Sequence, residues 1–393
     1  MPIGDGGYGD VIYGDSGGGG HTLSADTGSY SVTGSSASFV HNYPISATTD
    51  SYSITGSTAS LVYSGIKLQA ETSTYAITGS TASLLRGYKV SAGSGTYTLS
   101  GTAATLRKNK ILSANGSSYA ITGATVRLSR DYIFYPLTAG SYVISGQAVT
   151  FQVNRPIVID TGAYSISGQS ASLFYGITTI AQSGLYSLTG TDVDLRTINT
   201  VSAESDSYSI IGTDVSLHHN KKVNADTSSY LITGIDASSF YGMKVAADTT
   251  TYDIAGQVVD LFHVKKITID SGTYTITGEE VVMTYSVSGG YSLNAEAGSI
   301  SYIGDDVTLE HDKIIDITLG SYSITGDIAS LFKTNIVVVD TGTYEITGTD
   351  LSLFFKNKID CEIGEYTLTG TSLNLYYNRS VITEVGSYSI TGT

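Results

Sequence analysis

A fixed internal period constrains this chain more than any other feature. A marker of the form Tyr-x-Ile-x-Gly, with close variants, starts at Tyr30, Tyr52, Tyr75, Tyr97, Tyr119, Tyr142, Tyr164, Tyr186, Tyr208, Tyr230, Tyr252, Tyr274, Ile300, Tyr322, Tyr344, Tyr366 and Tyr388. Thirteen of the sixteen intervals are 22 residues, two are 23, and one, from Tyr274 to Ile300, is 26. A catalytic centre is a local arrangement and is not copied along a whole chain. A supersecondary unit that cannot bury its apolar face alone is copied in this way. The period therefore replaces the usual division of 393 residues into globular domains. Residues 1–21 read as a Gly-rich arm, and residues 22–393 as one continuous array of about sixteen coils.

Within a unit the apolar residues fall into three pairs, such as Leu68 with Ala70, Tyr75 with Ile77, and Ala82 with Leu84. Each pair has the i, i+2 spacing that places two side chains on one face of an extended strand. The intervening residues are Ser, Thr and Gly, and nothing apolar recurs at i+3 or i+4, so a helical period fails. The expected class is all-β, with three short strands per 22-residue unit. A glycine follows the second strand, at Gly34, Gly56, Gly79 and Gly101, where a corner is expected to need backbone angles that other residues avoid.

Two architectures share this pattern. In a three-sided β-solenoid each unit is one coil, and like residues stack about 4.8 Å apart around a central core. In an antiparallel β-meander, segments such as FKNK (355–358) and HHNKK (218–222) are tight hairpin turns. The solenoid is preferred. Three strands per unit would reverse the direction of every second unit of a meander, so identical sequences would occupy alternating environments. A single-layer sheet would also leave the Tyr, Ile, Ala and Leu face in water. One coil alone buries too little to be stable, so stability is expected from stacking, in a rod of roughly 75–80 Å.

The composition narrows the function classes. With 35 acidic and 20 basic residues the net charge is −15, the wrong sign for a phosphate-backbone partner, so no nucleic acid is expected. No run of apolar residues is long enough to suggest membrane insertion. The first twenty residues lack the basic start and apolar stretch of a secretory signal, which leads to the expectation of a protein made inside the cell. Cys361, the one cysteine, occupies the position of Ala70, Ala92 and Ala114, and reads as a small core residue.

The two ends carry a complementary pattern. The sequence closes on SYSITGT, after a second strand, with Tyr388, Ile390 and Gly392 in marker positions. Near the start, DVIYG (10–14) resembles the third-strand segments SLFYG (172–176) and SSFYG (238–242) and leads to Leu23 and Ala25 in first-strand positions. Val11, Ile12, Tyr13 and Gly14 at one end, with Tyr388, Ile390 and Gly392 at the other, are thus candidate assembly residues. Head-to-tail assembly, or docking onto a partner, follows, with Gly17 to Gly20 as a flexible joint; the simpler alternative is an unstructured Gly-rich arm.

Candidates for chemistry are few. His21, His41, His218, His219, His263 and His311 have no metal-ligand or triad-like neighbourhood, and His218 and His219 are expected on opposite faces of a strand. Acidic residues recur four places before the marker, at Asp26, Glu71, Asp160, Glu204, Asp226, Asp248, Asp270, Glu296, Asp340, Glu362 and Glu384. Stacked coils would bring these into a corner ladder able to share Ca²⁺, although solvated turn residues, whose aspartates bond their own backbone, are the preferred explanation. No other cofactor is expected. Pairs such as Asp192 with Asp194, or Asp305 with Asp306, are candidates for polysaccharide cleavage, but they sit in repeats otherwise like their neighbours, without long loops to wall a cleft. Outward residues beside the marker, such as Ser53 and Thr55, Thr98 and Ser100, Thr275 and Thr277, would form two hydroxyl ranks, a geometry that resembles ice-binding solenoids. Val143, Leu231, Asp253 and Glu345 interrupt them, and ordinary strand-surface hydroxyls are the simpler explanation.

The segments SYSITGSTASLVYSG (51–65), GQSASLFYG (168–176) and SYSITGDIASLFK (321–333) resemble repeats of virion-associated proteins of tailed bacteriophages. The resemblance covers residues 22–393 and carries no catalytic residues. It implies a fibre, appendage or decoration protein that ends in the virion or outside the cell, with copies of itself and other virion proteins as partners and a host-surface glycan as a further contact. The expectation is a non-enzymatic structural rod or fibre. The alternative is a surface-binding rod, for glycan or ice, that acts as a single particle.

Overall fold

A computed structural model describes residues 12–13, 23–25, 30–41, 45–47, 52–63, 68–70, 74–85, 89–92, 95–107, 111–114, 118–129, 134–137, 140–152, 157–159, 162–174, 178–181, 185–196, 200–203, 207–218, 222–225, 229–240, 245–247, 251–262, 266–269, 271–284, 292–310, 314–332, 336–355, 358–361, 363–377, 380–383 and 386–392. These form strands joined by turns, without helix, so no helix is long and apolar enough to cross a membrane among them. The chain divides into two compact units, residues 1–191 and 192–393, and each is a parallel β-solenoid.

In the first unit every coil contributes three strands. Leu68–Ala70 lies between Ile45–Ala47 and Lys89–Ala92, Thr74–Thr78 between Tyr52–Thr55 and Thr96–Ser100, and Thr81–Leu85 between Thr58–Tyr63 and Ala103–Arg107. All of these pairings are parallel, and each joins a residue to its equivalent one repeat away. Tyr97 faces Tyr75 and Tyr119, and Leu84 faces Leu61 and Leu106. The second unit follows the same plan, as in Ser207–Ile211 on Ser229–Thr233 and Asp214–His218 on Asp236–Phe240. In some coils the second and third strands run on as one, as in Ser118–Ser129, Ser141–Gln152 and Glu365–Tyr377.

The meander alternative is thereby set aside. Lys358–Cys361 does not turn back onto Thr343–Phe355 but pairs with Ile336–Val339, and Lys222–Ala225 pairs with Thr200–Ala203. FKNK and HHNKK therefore pass from one ladder to another rather than closing hairpins.

Alternation puts the marker residues inside. Tyr164, Ile166, Ala171, Tyr186 and Leu188 are fully buried in the first unit, as are Tyr208, Ile210, Val215, Tyr344 and Leu351 in the second. The third side of the coil is equally apolar where its side chains are described, with Ile315, Val337 and Val339 buried. Stacking like on like turns the tyrosines into columns of rings. Centroids lie 5.2 Å apart from Tyr142 to Tyr164 and from Tyr164 to Tyr186, and 4.8 and 4.6 Å apart along Tyr208, Tyr230 and Tyr252. Near-parallel rings at the strand spacing follow from the in-register backbone.

The corner glycines are needed for a different reason from the one the sequence suggests. None of those whose surroundings are resolved has positive φ; instead, a Cβ on Gly101 would lie 2.1 Å from the carbonyl oxygen of Gly79, and one on Gly79 would lie 2.2 Å from that of Gly56. Successive coils approach backbone to backbone at this corner, where Gly79 N donates to Ser100 O at 3.0 Å. Any side chain would wedge the coils apart.

The 26-residue unit keeps its place in the stack. Thr273–Thr277 pairs in register with Ser299–Ile303, and Lys266–Ile269 with Ser292–Ala295, so the additional residues fall between the third strand Glu280–Thr284 and the next first strand. In this coil the two inward positions are exchanged: Ile300 lies between Tyr274 and Tyr322, and Tyr302 between Ile276 and Ile324. The summed side-chain volume is unchanged, which cores tolerate best. The ring column sidesteps, with Tyr302 edge-on to Tyr274 at 6.5 Å and 61°.

Two measurements check this packing. Replacing Gly101 by Ala is expected to destabilise the protein by about 1–3 kcal/mol in denaturant unfolding, the cost of overpacking against backbone that cannot move aside. Burial also raises the Tyr97, Tyr252 and Tyr274 hydroxyls above their ordinary value of 10.0. A raised folded-state pKa gives stability that is complete below the unfolded value and is lost as pH climbs through the folded one. Beyond the gradual titration of exposed tyrosines such as Tyr376, tyrosinate absorbance should therefore show a cooperative step above pH 10 that coincides with the loss of β-sheet circular dichroism.

Candidate functional site

The outward positions of the solenoid carry whatever this protein presents to other molecules. In the first unit the second-strand face holds an outward rank of Thr33, Thr55, Thr78, Ser100, Thr122, Ser145, Ser167 and Thr189, each level with the next. No residue breaks this rank; Val143 interrupts only the neighbouring one. Some hydroxyls bond one another, as Ser31 with Thr33 at 3.4 Å and Ser100 with Thr78 at 3.3 Å. In the second unit the equivalent rank includes Ile211, Ala255 and Ile303, so the hydroxyl surface is not continuous there.

Acidic residues gather on the third-strand face of the second unit. Asp192, Asp214 and Asp236 occupy level positions on adjacent strands, a rank visible in the sequence as the Asp of TDV, TDV and IDA at consecutive repeats. Asp192 and Asp194 share an outward face of one strand. Arg196 Nε donates to Asp194 Oδ2 at 2.6 Å, and His218 Nε2 lies 3.8 Å from Asp194 Oδ1. Asp194 is thus engaged by a cation through Oδ2. Asp305 and Asp306 are both exposed. Farther along, Asp260 is raised above the usual carboxylate value by partial burial first, then by the charges of Glu280 and Asp236. Asp316 is raised by burial and by Asp340.

The corner ladder of acids is incomplete. Only Glu296 and Asp340 of that series lie within the described residues, and Thr318 occupies the coil between them; the other nine fall outside. No group of three or more metal-ligating side chains is present among the described residues. Of the histidines, only the side chain of His218 is described. Cys361 lies in a strand between Val339 and Thr383, and its side chain is outside what is described.

The candidate assembly residues are placed in part. Ile12 and Tyr13 form a short strand that pairs in parallel with Ser36–His41, Ile12 level with Phe39 and Tyr13 with Val40. Following that ladder brings Ile12 level with Leu173, one residue away from the alignment of DVIYG with SLFYG. Val11 and Gly14 lie outside the described residues. At the other end Ser387–Thr391 pairs with the first half of Glu365–Tyr377, and the Tyr388 ring stacks on Tyr366 at 5.0 Å. Ile390 is 42% exposed, whereas Leu368 beneath it is fully buried. A Cβ on Gly392 would lie 2.6 Å from Leu373 Cδ1. Leu373 and Leu375 are half-buried, although Leu351 and Leu353 below them are fully covered.

Compared with known proteins, the chain matches no family model, no curated protein and no solved structure.

The raised aspartates give a signed expectation. A folded-state pKa above the unfolded one means that stability is greatest below the unfolded value and declines as pH rises through the folded one. Asp260→Asn should therefore raise the thermal midpoint at neutral pH, and the gain should vanish below the ordinary aspartate value of 3.8. A midpoint series across that range measures it.

Proposed function

We propose that this chain is a non-enzymatic structural protein that forms or extends a rod or fibre, assembled through its terminal coils. The observation that carries the reading is the in-register stacking of the Tyr388–Ile390 rung on Tyr366 and Leu368, with Ile390 42% exposed. The rung's inward-facing positions, Tyr then an aliphatic residue, repeat in register the pair buried in the coils below it, the exchanged Ile300–Tyr302 coil excepted. Another rung of the same pattern completes it without new chemistry, since each coil is already a template for its neighbour. The strand Ile12–Tyr13, a third-strand rung preceding the first coil, is the kind of element that follows a second strand. A head-to-tail contact between copies is therefore the preferred occupant. Placement on a bacteriophage particle, and location in the virion or outside the cell, rest on the sequence resemblance alone.

A second reading is favoured by a separate observation, the uninterrupted hydroxyl rank from Thr33 to Thr189. Such a face suits an extended hydroxylated surface, ice or glycan, and a protein using it this way need not polymerise.

Electron microscopy of the purified chain over a range of concentrations separates the two. End-to-end assembly predicts filaments that lengthen with concentration and are shortened by Ile390→Asp, compared at a temperature where circular dichroism shows the variant still folded. Single particles of one size at every concentration would overturn the assembly reading.

A further inference from the structure

A shallow groove of about 340 Å³ runs along one corner of the second unit, crossing four successive coils just ahead of the marker residues. Its floor is backbone at Gly272, Gly298, Gly320 and Gly342, all buried. These glycines create the depression. A Cβ on Gly320 would lie 3.1 Å from Ala295 Cβ, and one on Gly342 would lie 2.5 Å from Ile317 Cγ2, so the chain is drawn into the interior at each of them. The residue two places before the marker is Gly in every coil from Gly272 to Gly386, but is Asp206, Ser228 and Thr250 in the three preceding coils. Gly28, Gly95, Gly140, Gly162 and Gly184 hold the same place in the first unit, so the glycine is common to many coils, and four successive coils carry it along this groove.

Its two walls differ. One is a row of hydroxyls, Thr273, Ser299, Ser321 and Thr343. The other is mixed, Ser271, Ala297, Leu319 and Thr341, with Leu319 67% exposed. Among the described residues no charged side chain lines it. An anionic ligand finds no cation there, and the exposed Glu296 and the neighbouring Asp340, each adjacent in sequence to a wall residue, oppose one. An added peptide strand is also disfavoured, because the floor's polar groups are already used. Ser299 N donates to Gly272 O at 2.9 Å, and Ser321 N to Gly298 O and Thr343 N to Gly320 O at 3.0 Å.

We propose that this groove binds a linear, uncharged polysaccharide laid along the corner. Such a chain has hydroxyl edges to meet the Thr and Ser wall and C–H faces to meet Leu319 and the bare glycine floor. An acidic polysaccharide would be opposed by the nearby charges of Glu296 and Asp340. Three coil steps of about 4.8 Å give a track of roughly 14 Å, so a short, straight, β-linked segment fits, whereas an α-linked chain that coils does not. The site lies on a side corner and does not depend on end-to-end assembly.

Titration calorimetry of the full chain tests the proposal, with cellohexaose as the probe and maltohexaose and oligogalacturonate as comparators. Saturable binding of cellohexaose is expected, with neither comparator binding. Combining Ser299→Ala, Ser321→Ala and Thr343→Val removes three exposed or half-exposed hydroxyls, and should weaken binding by about ten-fold or more with the thermal midpoint unchanged. The same changes at Thr96, Ser118 and Ser141, the equivalent positions in the first unit, should leave the affinity as it was. Absence of cellohexaose binding, preference for the acidic oligosaccharide, or full affinity in the triple variant would each overturn it. Because calorimetry reads binding by the single chain, the result is separable from filament formation.

Discussion

Everything in each unit rests on one contact, that of a residue with its own equivalent one coil away. The parallel ladder fixes the distance between equivalents at the strand spacing, and the inward face is then filled by whatever stacks well on itself. Tyrosine does so because planar rings at this distance present face to face with little gap, as along Tyr208, Tyr230 and Tyr252. Aliphatic pairs such as Leu351 beneath Leu373, or Leu84 on Leu106, fill the remainder. The same rule acts on the outer surface, where it aligns hydroxyls with hydroxyls and, less comfortably, aspartates with aspartates at Asp192, Asp214 and Asp236. A stack of this type cannot choose which side chains it repeats; it repeats all of them.

The corner glycines belong to the same constraint. Where the chain bends between second and third strands, the carbonyl of one glycine occupies the space that a Cβ of the next would need. A second glycine series, from Gly272 to Gly386, does this at another corner and leaves a depression outside. One backbone requirement therefore has two results: tight coil-to-coil contact within, and a shaped surface without.

Much of this was legible in the sequence, because period two within a strand and period 22 along the chain both survive into the structure. The inward assignment of Tyr75, Ile77, Ala82 and Leu84, the three strands per unit and the choice of a solenoid over a meander all follow from those two numbers. What escaped were properties that need coordinates. The glycines look like positions of unusual φ until the neighbouring carbonyl is placed. The exchange of Ile300 and Tyr302 is written in the sequence, but its harmlessness depends on both side chains reaching the same interior. The one-residue offset of Ile12 from the SLFYG alignment shows that short-segment likeness does not set register. The groove was missed because it is made by residues that lack side chains, and apolar periodicity is blind to them.

The unit between Tyr274 and Ile300 shows how length can change without disturbing the ladders. Four surplus residues leave both flanking strands paired as elsewhere, since the excess is discharged at the junction from third to first strand. Register in this scaffold is thus set strand by strand and not by the count of residues between strands, so a step of 26 residues leaves the coils on either side aligned as a step of 22 does.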